Sequence, residues 1–173
     1  MVDNELLFTD KGSVYHELFH LLSSTYDSEK KKVYSGFSQG NRRVDIGVAL
    51  NEGYTELLSS RYFGNENTGV YPIEVQMAIL IEKIVGESTM EKLYSEANLE
   101  GLIDEIDKYA NDRKSILNTL IVLDRAHDLF YLCEETTNNV LALEECLNAV
   151  TPFFLQCYLE KAKNDNSCNV KEF

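Results

Sequence analysis

Two of the three histidines in this 173-residue chain lie four residues apart, in the pentapeptide His16-Glu17-Leu18-Phe19-His20. On a helix, residues at this spacing project from one face, about 6 Å apart along the axis. Both imidazoles could therefore reach one metal ion at Zn–N distances of about 2.0–2.1 Å. Glu17 lies about 100° further around the helix, where it could accept a proton from a metal-bound water molecule. The pattern predicts a helix that holds a divalent cation; the alternative is a half-exposed polar helix with a solvated Glu17.

A zinc site with two histidine ligands needs a further ligand from the protein. The best candidates are Glu52 and Glu56, four residues apart on a predicted helix that covers about residues 46–63 and ends at Gly64. Carboxylates on the inner face of a core-facing helix are costly to bury unless a positive group meets them. A metal ion with its imidazoles would be such a group. A solvated pair of glutamates is the alternative.

The H-E-x-x-H motif at residues 16–20, followed by N-E-G-x-T-E at 51–56, resembles the gluzincin branch of the zincin metallopeptidases. The thermolysin-like and aminopeptidase-N types belong to this branch, in which a glutamate of an Asn-Glu-x-x motif is the third ligand. Residues 13–60 carry the resemblance. It implies these roles: zinc ligands His16, His20 and Glu52; general base Glu17; and an outer carboxylate, Glu56, that orients a ligand histidine.

Two features depart from the families named above. Thirty-two positions separate His20 from Glu52, and only fifteen residues precede His16. We therefore expect a different member of the branch. Its fold is pared down, or the chain is separated from an upstream portion.

The resemblance implies a zinc-dependent peptidase that hydrolyses peptide bonds through a metal-activated water, with Glu17 as the general base. Such an enzyme needs a hydrogen-bond donor to the tetrahedral oxyanion. The candidates for this donor are His127, Tyr34, Tyr54, Tyr62 and Tyr71. For His127 a core histidine bonded to backbone is the alternative. A hypothesis of another class is a catalytically inactive zincin-like binding or regulatory module.

The charge of the chain bounds its partners. A formal net charge of -13 argues against nucleic acid and anionic membranes, which select basic surfaces, and leaves a peptide or protein substrate as the expected partner. We find no signal peptide and no apolar run of transmembrane length. The four cysteines, at 133, 146, 157 and 168, show no C-x-x-C spacing, which favours buried thiols and a reducing, cytoplasmic setting.

The expected fold is mainly α, or α+β by a small margin. We expect a single compact zincin-like domain over residues 1–163 and a frayed tail over 164–173. A short strand is predicted at 5–8, and Asp10 or Ser13 could cap a first helix that runs to about Tyr26. Its predicted packing face is Tyr15, Leu18, Leu22 and Tyr26.

One β-hairpin is predicted over 33–46, between the two ligand helices, with Gly40-Asn41 at its turn. This hairpin could bind an extended substrate by strand addition, or it could be a surface hairpin without contact to the site. Six further helices are predicted. Three have a start signal in the sequence: 73–85 follows Pro72, 88–97 begins with a capping box at Ser88, and 99–110 is capped by Asn98. The other three cover 113–134, 139–150 and, after Thr151, 152–163.

Overall fold

The computed structural model describes residues 11–41, 44–64, 70–134 and 136–165. Within these ranges the chain forms seven α-helices and two β-hairpins, which confirms the mainly α prediction. In chain order the elements are α1 (Lys11–Leu22), β1 (Ser24–Asp27), β2 (Lys32–Ser35), β3 (Gln39–Asn41), β4 (Val44–Ile46), α2 (Val48–Phe63), α3 (Pro72–Val85), α4 (Glu87–Ser95), α5 (Leu99–Ala110), α6 (Arg113–Tyr131) and α7 (Thr137–Asp165). None of the described helices is both long and apolar enough to cross a bilayer.

Helix α1 is shorter than predicted. It ends at Leu22, because the carbonyl of His20 accepts hydrogen bonds from the hydroxyls of Ser24 at 2.6 Å and Ser35 at 2.9 Å while the chain turns into β1. Serine hydroxyls compete in this way with the backbone donors of a continuing helix. Ser13 lies inside the helix rather than at its cap, and Asp10 and the strand predicted at 5–8 lie outside the described residues.

The predicted packing face of α1 was wrong except at Tyr15, whose ring stacks on that of Phe63 with a centroid distance of 4.0 Å. Leu18 is 37% exposed, Leu22 is 66% exposed, and Tyr26 lies in β1 with 62% of its surface exposed. The helix instead buries the face that carries His16, which is 7% exposed. The polar face that carries the two histidines therefore points inward, and the leucines around it point out.

Two hairpins, rather than one, separate α1 from α2. In the first, Ser24 of β1 is opposite Ser35 of β2; in the second, Gln39 of β3 is opposite Ile46 of β4. Gly36, with φ of 51°, bends the chain at the point where one continuous strand was predicted. The predicted turn pair Gly40-Asn41 consequently lies within β3, and the chain reverses after it.

Helix α2 is the centre of the fold. It begins at Val48 after Gly47 (φ 81°) and ends as predicted at Gly64 (φ 66°). It packs against α1, α3 and α6, and much of its length is buried. Fully buried side chains of α2 meet those of the later helices in one core, whose largest members include Tyr54, Leu50, Ile81, Leu102, Ile116 and Phe154.

The later helices follow the sequence predictions at three points. Helix α3 starts at Pro72, and α5 covers Leu99–Ala110, with the Asn98 side chain accepting from the Gly101 N–H at 2.8 Å. Helix α6 begins at Arg113 as predicted but ends at Tyr131, three residues early. Helix α4 begins at Glu87, so Ser88 is not its cap.

The last two helices predicted, 139–150 and 152–163, form one continuous helix in the structure. Helix α7 runs from Thr137 to Asp165 with Pro152 in its interior, although an interior proline costs about 3 kcal/mol. Val150 and Phe154, on either side of the proline, are both 0% exposed in the core, and their burial keeps the two halves in line. The rest of the predicted tail, beyond Asp165, lies outside the described residues.

Candidate metal centre

Three side chains from α1 and α2 converge on one point. Nε2 of His16 lies 3.0 Å from Nε2 of His20 and 3.1 Å from Oε2 of Glu52. The third distance, from Nε2 of His20 to the same carboxylate oxygen, is 3.4 Å. Of the described residues, these three form a group that could hold a metal ion.

The donor set and its spacing fit zinc. Three ligands of a tetrahedral ion with bonds of about 2.0–2.1 Å lie about 3.3–3.4 Å from one another. The observed separations, 3.0–3.4 Å, approach these values, and two imidazole nitrogens with one carboxylate oxygen are typical zinc ligands. Electron-rich atoms this close repel each other unless a proton or a cation lies between them.

Glu56 lies on the far side of the His16 ring. Its Oε2 is 3.0 Å from Nδ1 of His16, and the residue is only 6% exposed. A carboxylate there accepts the Nδ1 proton and so leaves the lone pair of Nε2 directed at the cluster. The geometry is that expected of the outer carboxylate in the sequence motif.

The charges of the cluster depend on each other. Burial by itself raises the pKa of Glu52, but hydrogen bonds and charge from His16 and His20 outweigh it, and this pKa lies well below the usual range. Burial opposes the charged form of His16, but Glu52 and Glu56 overcome it and raise the pKa of the imidazole. The site therefore stabilises positive charge at its centre, whether the charge is a proton or a metal ion.

Asn51 and Thr55 of α2 contact His20, although neither was among the residues predicted for the site. Nδ2 of Asn51 lies 3.1 Å and Oγ1 of Thr55 lies 3.5 Å from Nδ1 of His20. Asn51 is 3% exposed and Thr55 is fully buried. Their spacing could have identified them in the sequence, because Asn51 and Thr55 are four residues apart on the helix face next to the two glutamates.

Gly53, the glycine of the N-E-G-x-T-E motif, allows α3 to pack closely against α2. A Cβ on Gly53 would lie 2.3 Å from the backbone carbonyl of Glu74, so that only glycine fits there. This close packing brings Tyr71 and Glu74 to the metal-ligand cluster.

Tyr71 and His127 form a wall beside the cluster. The ring of Tyr71 stacks between those of His16 and His127, with centroid distances of 5.6 and 6.0 Å. The Tyr71 hydroxyl bonds to Glu52, and burial together with the Glu52 charge raises the pKa of the phenol. Nδ1 of His127 lies 2.9 Å from Oε1 of Glu74, and this hydrogen bond raises the pKa of His127. His127 is thus bonded to a carboxylate and not, as the alternative held, to backbone.

The other predicted site residues lie in different places. Glu17 is exposed on α1, next to His16 in the chain. The hydroxyl of the fully buried Tyr54 donates to Glu82 at 3.2 Å, and that of Tyr62 donates to Glu91 at 2.8 Å. These hydroxyls are engaged elsewhere. Tyr34 lies in β2, where Lys30 stands 5.8 Å from its ring centroid.

Comparisons with known proteins give one relative and no family. No protein-family model and no solved structure matches the chain. An uncharacterized protein of Acanthamoeba polyphaga mimivirus is 31% identical over 137 residues, which are 78% of this chain and 42% of that protein. The chain thus spans about two fifths of the length of this relative.

Proposed function

We propose that this chain is a zinc-dependent metallopeptidase, with His16, His20 and Glu52 as zinc ligands and Glu17 as general base. One observation carries the proposal: two imidazole nitrogens and a carboxylate oxygen lie 3.0–3.4 Å from one another, and Glu56 holds the outer nitrogen of His16. The H-E-x-x-H spacing supplies the base in the position the reaction needs.

Glu17 moves the proton in this reaction. A bound zinc ion would polarise the scissile carbonyl and lower the pKa of a water molecule to about 7. The Glu17 carboxylate accepts the proton that the attacking water loses, and then donates it to the leaving amine. Because Glu17 is exposed beside His16, it is accessible to both water and substrate.

His127 is the best donor to the oxygen of the tetrahedral intermediate, and Tyr71, whose hydroxyl is bonded to Glu52, lies beside it. Glu74 raises the pKa of His127 and so favours the cationic, donating form of that ring. Donors that are already oriented stabilise the charge that develops on that oxygen. Both rings lie beside His16, in one stack.

Strand β1 is the best surface for an extended substrate. It begins at Ser24, four residues after His20, and among the described strands only β2 pairs with it. A peptide could therefore add to its outer edge by backbone hydrogen bonds. Because this strand edge suits an extended peptide, we favour hydrolysis of peptide bonds over cleavage of other amides.

The test is a zinc assay followed by a peptide-library digest. Protein purified without added metal should contain about one zinc ion per chain. The wild type should cleave peptides, and Glu17→Ala should lose this cleavage by about 10²-fold or more. Glu145→Ala, which changes an exposed glutamate on α7, is the control.

Two results would contradict the peptidase proposal. Equal cleavage by wild type and Glu17→Ala would assign the activity to a contaminant. Stoichiometric zinc in a wild type that cleaves nothing would favour the inactive zincin-like binding or regulatory module.

A further inference from the structure

The two neighbours of His20 Nδ1 require opposite tautomers of the ring. If Nε2 of His20 is to bind a metal, the proton of the neutral imidazole must be on Nδ1, and Nδ1 must find an acceptor. Two side-chain atoms are within reach, Nδ2 of Asn51 at 3.1 Å and Oγ1 of Thr55 at 3.5 Å. Their own hydrogen bonds decide what each can do.

Asn51 can only donate to His20. The backbone N–H of Phe37 donates to Oδ1 of Asn51 at 3.0 Å, which fixes the orientation of the amide because a backbone N–H needs an acceptor. The NH₂ group therefore faces His20 and prefers a lone pair on Nδ1. This contact alone would leave the proton on Nε2, where it blocks metal binding.

Thr55 can only accept from His20. Its single hydroxyl proton goes to the backbone carbonyl of Asn51 at 2.7 Å, an atom that only accepts. The hydroxyl of Tyr94, 2.6 Å from Oγ1, must then be the donor in that pair. One lone pair of Thr55 is left, and Nδ1 of His20 is the group beside it.

We infer that Thr55 is the positioning residue that receives the Nδ1 proton of His20 and so presents Nε2 to the metal, in opposition to Asn51. Thr55 thereby does for His20 what Glu56 does for His16. Tyr94, which is buried, holds the threonine hydroxyl in place. The inference rests on the proposed metal site but not on peptide cleavage.

The experiment measures zinc affinity by competition with a chelator, and the His20 tautomer by ¹⁵N NMR of the metal-free protein at a pH where the ring is neutral. Thr55→Val should weaken zinc binding about 10–100-fold and move the proton toward Nε2. Thr55→Ser, which restores the hydroxyl, should stay within about threefold of wild type. Thr119→Val is the matched control, because Thr119 makes the same hydrogen bond to the carbonyl four residues earlier, on α6.

A second variant keeps the test decisive if Thr55→Val does not fold. Asn51→Asp keeps the acceptor for Phe37 and replaces the opposing donor with an acceptor, so that the Nδ1–H tautomer should increase. Wild-type zinc affinity and tautomer in Thr55→Val, or an unchanged tautomer in Asn51→Asp, would overturn the inference and leave the metal site standing. A wild type that binds no zinc would overturn both.

Discussion

Each of the three histidines of the chain has a ring nitrogen within 3.4 Å of a carboxylate oxygen. His16 lies between Glu52 and Glu56, and His127 pairs with Glu74. Burying a carboxylate is costly unless a partner compensates for the lost hydration. Glu56 is 6% exposed and Glu74 is fully buried, so the histidines are what makes these burials tolerable.

The Glu74–His127 pair should make stability depend on pH. Because Glu74 raises the pKa of His127, the pair's stabilisation is complete below the unfolded value of about 6.5 and is lost as pH rises through the higher folded value. Glu74→Gln should therefore cost about 1–3 kcal/mol at pH 6 and less at pH 8.5. Urea unfolding of both proteins across this range is the measurement.

The matched variant of that pair is His127→Gln, which should show the same decline in its cost with rising pH. An NMR titration should also place the pKa of His127 lower in Glu74→Gln than in wild type. A cost that stays constant from pH 6 to pH 8.5 would rule out this account of the pair.

At the scale of elements, the ligand helix α2 is capped by another helix. Its N-cap Gly47 has no side chain, and the carboxylate of Asp124 on α6 accepts the N–H groups of Gly47 at 2.8 Å and Ala49 at 2.9 Å. Asp124 thus satisfies donors that a helix N-terminus leaves free. It also fixes the start of the helix that carries Glu52.

Burial raises the pKa of Asp124 to about 6, although the two backbone hydrogen bonds lower it. A carboxyl with a raised pKa binds its proton more tightly when folded, so stability falls as pH rises from about 4 to about 6. Asp124→Asn should remove up to about 3 kcal/mol of this decrease, measured as the difference in unfolding free energy from wild type at pH 4 and pH 7. Glu144→Gln, which changes an exposed carboxylate on α7, should leave the decrease intact.

At the scale of the whole molecule, the cluster of His16, His20 and Glu52 joins α1 to the rest of the fold. Leu18, Leu21 and Leu22 of this helix are exposed, so its attachment depends on His16, His20 and the aromatic contacts of Tyr15 and Phe19. In the proposed metal site, a bound ion would add a link between α1 and α2 that the unfolded chain lacks.

Removal of the metal should therefore lower stability. A ligand present at a thousandfold excess over its Kd stabilises the folded state by about 4 kcal/mol, and chelation should remove this contribution. We expect a lower Tm, with faster hydrogen exchange in α1 than in α5. The double variant His16→Ala/His20→Ala should not respond to chelator, and an unchanged Tm after verified loss of metal from wild type would contradict the link.

Local signals predicted the helices well where a residue acts on its own neighbours. Pro72 begins α3, Asn98 caps α5 and Gly64 ends α2, as expected, because caps and breakers act within one turn. Two of the errors were at Gly36 and Pro152. Gly36 uses a positive φ to divide a predicted strand, and Pro152 lies in a continuous helix that core packing keeps in line.

Spacing in the sequence by itself determined that His16 and His20 share a helix face, as do Glu52 and Glu56, because the helical repeat is local and regular. The spacing could not determine which side-chain atoms of different helices come into contact. Only the tertiary structure decided that Thr55 and Asn51 compete for one nitrogen of His20, that Tyr71 and His127 stand beside His16, and that Asp124 caps the ligand helix. These contacts join residues far apart in the chain, and their geometry follows from how the helices pack rather than from any one segment.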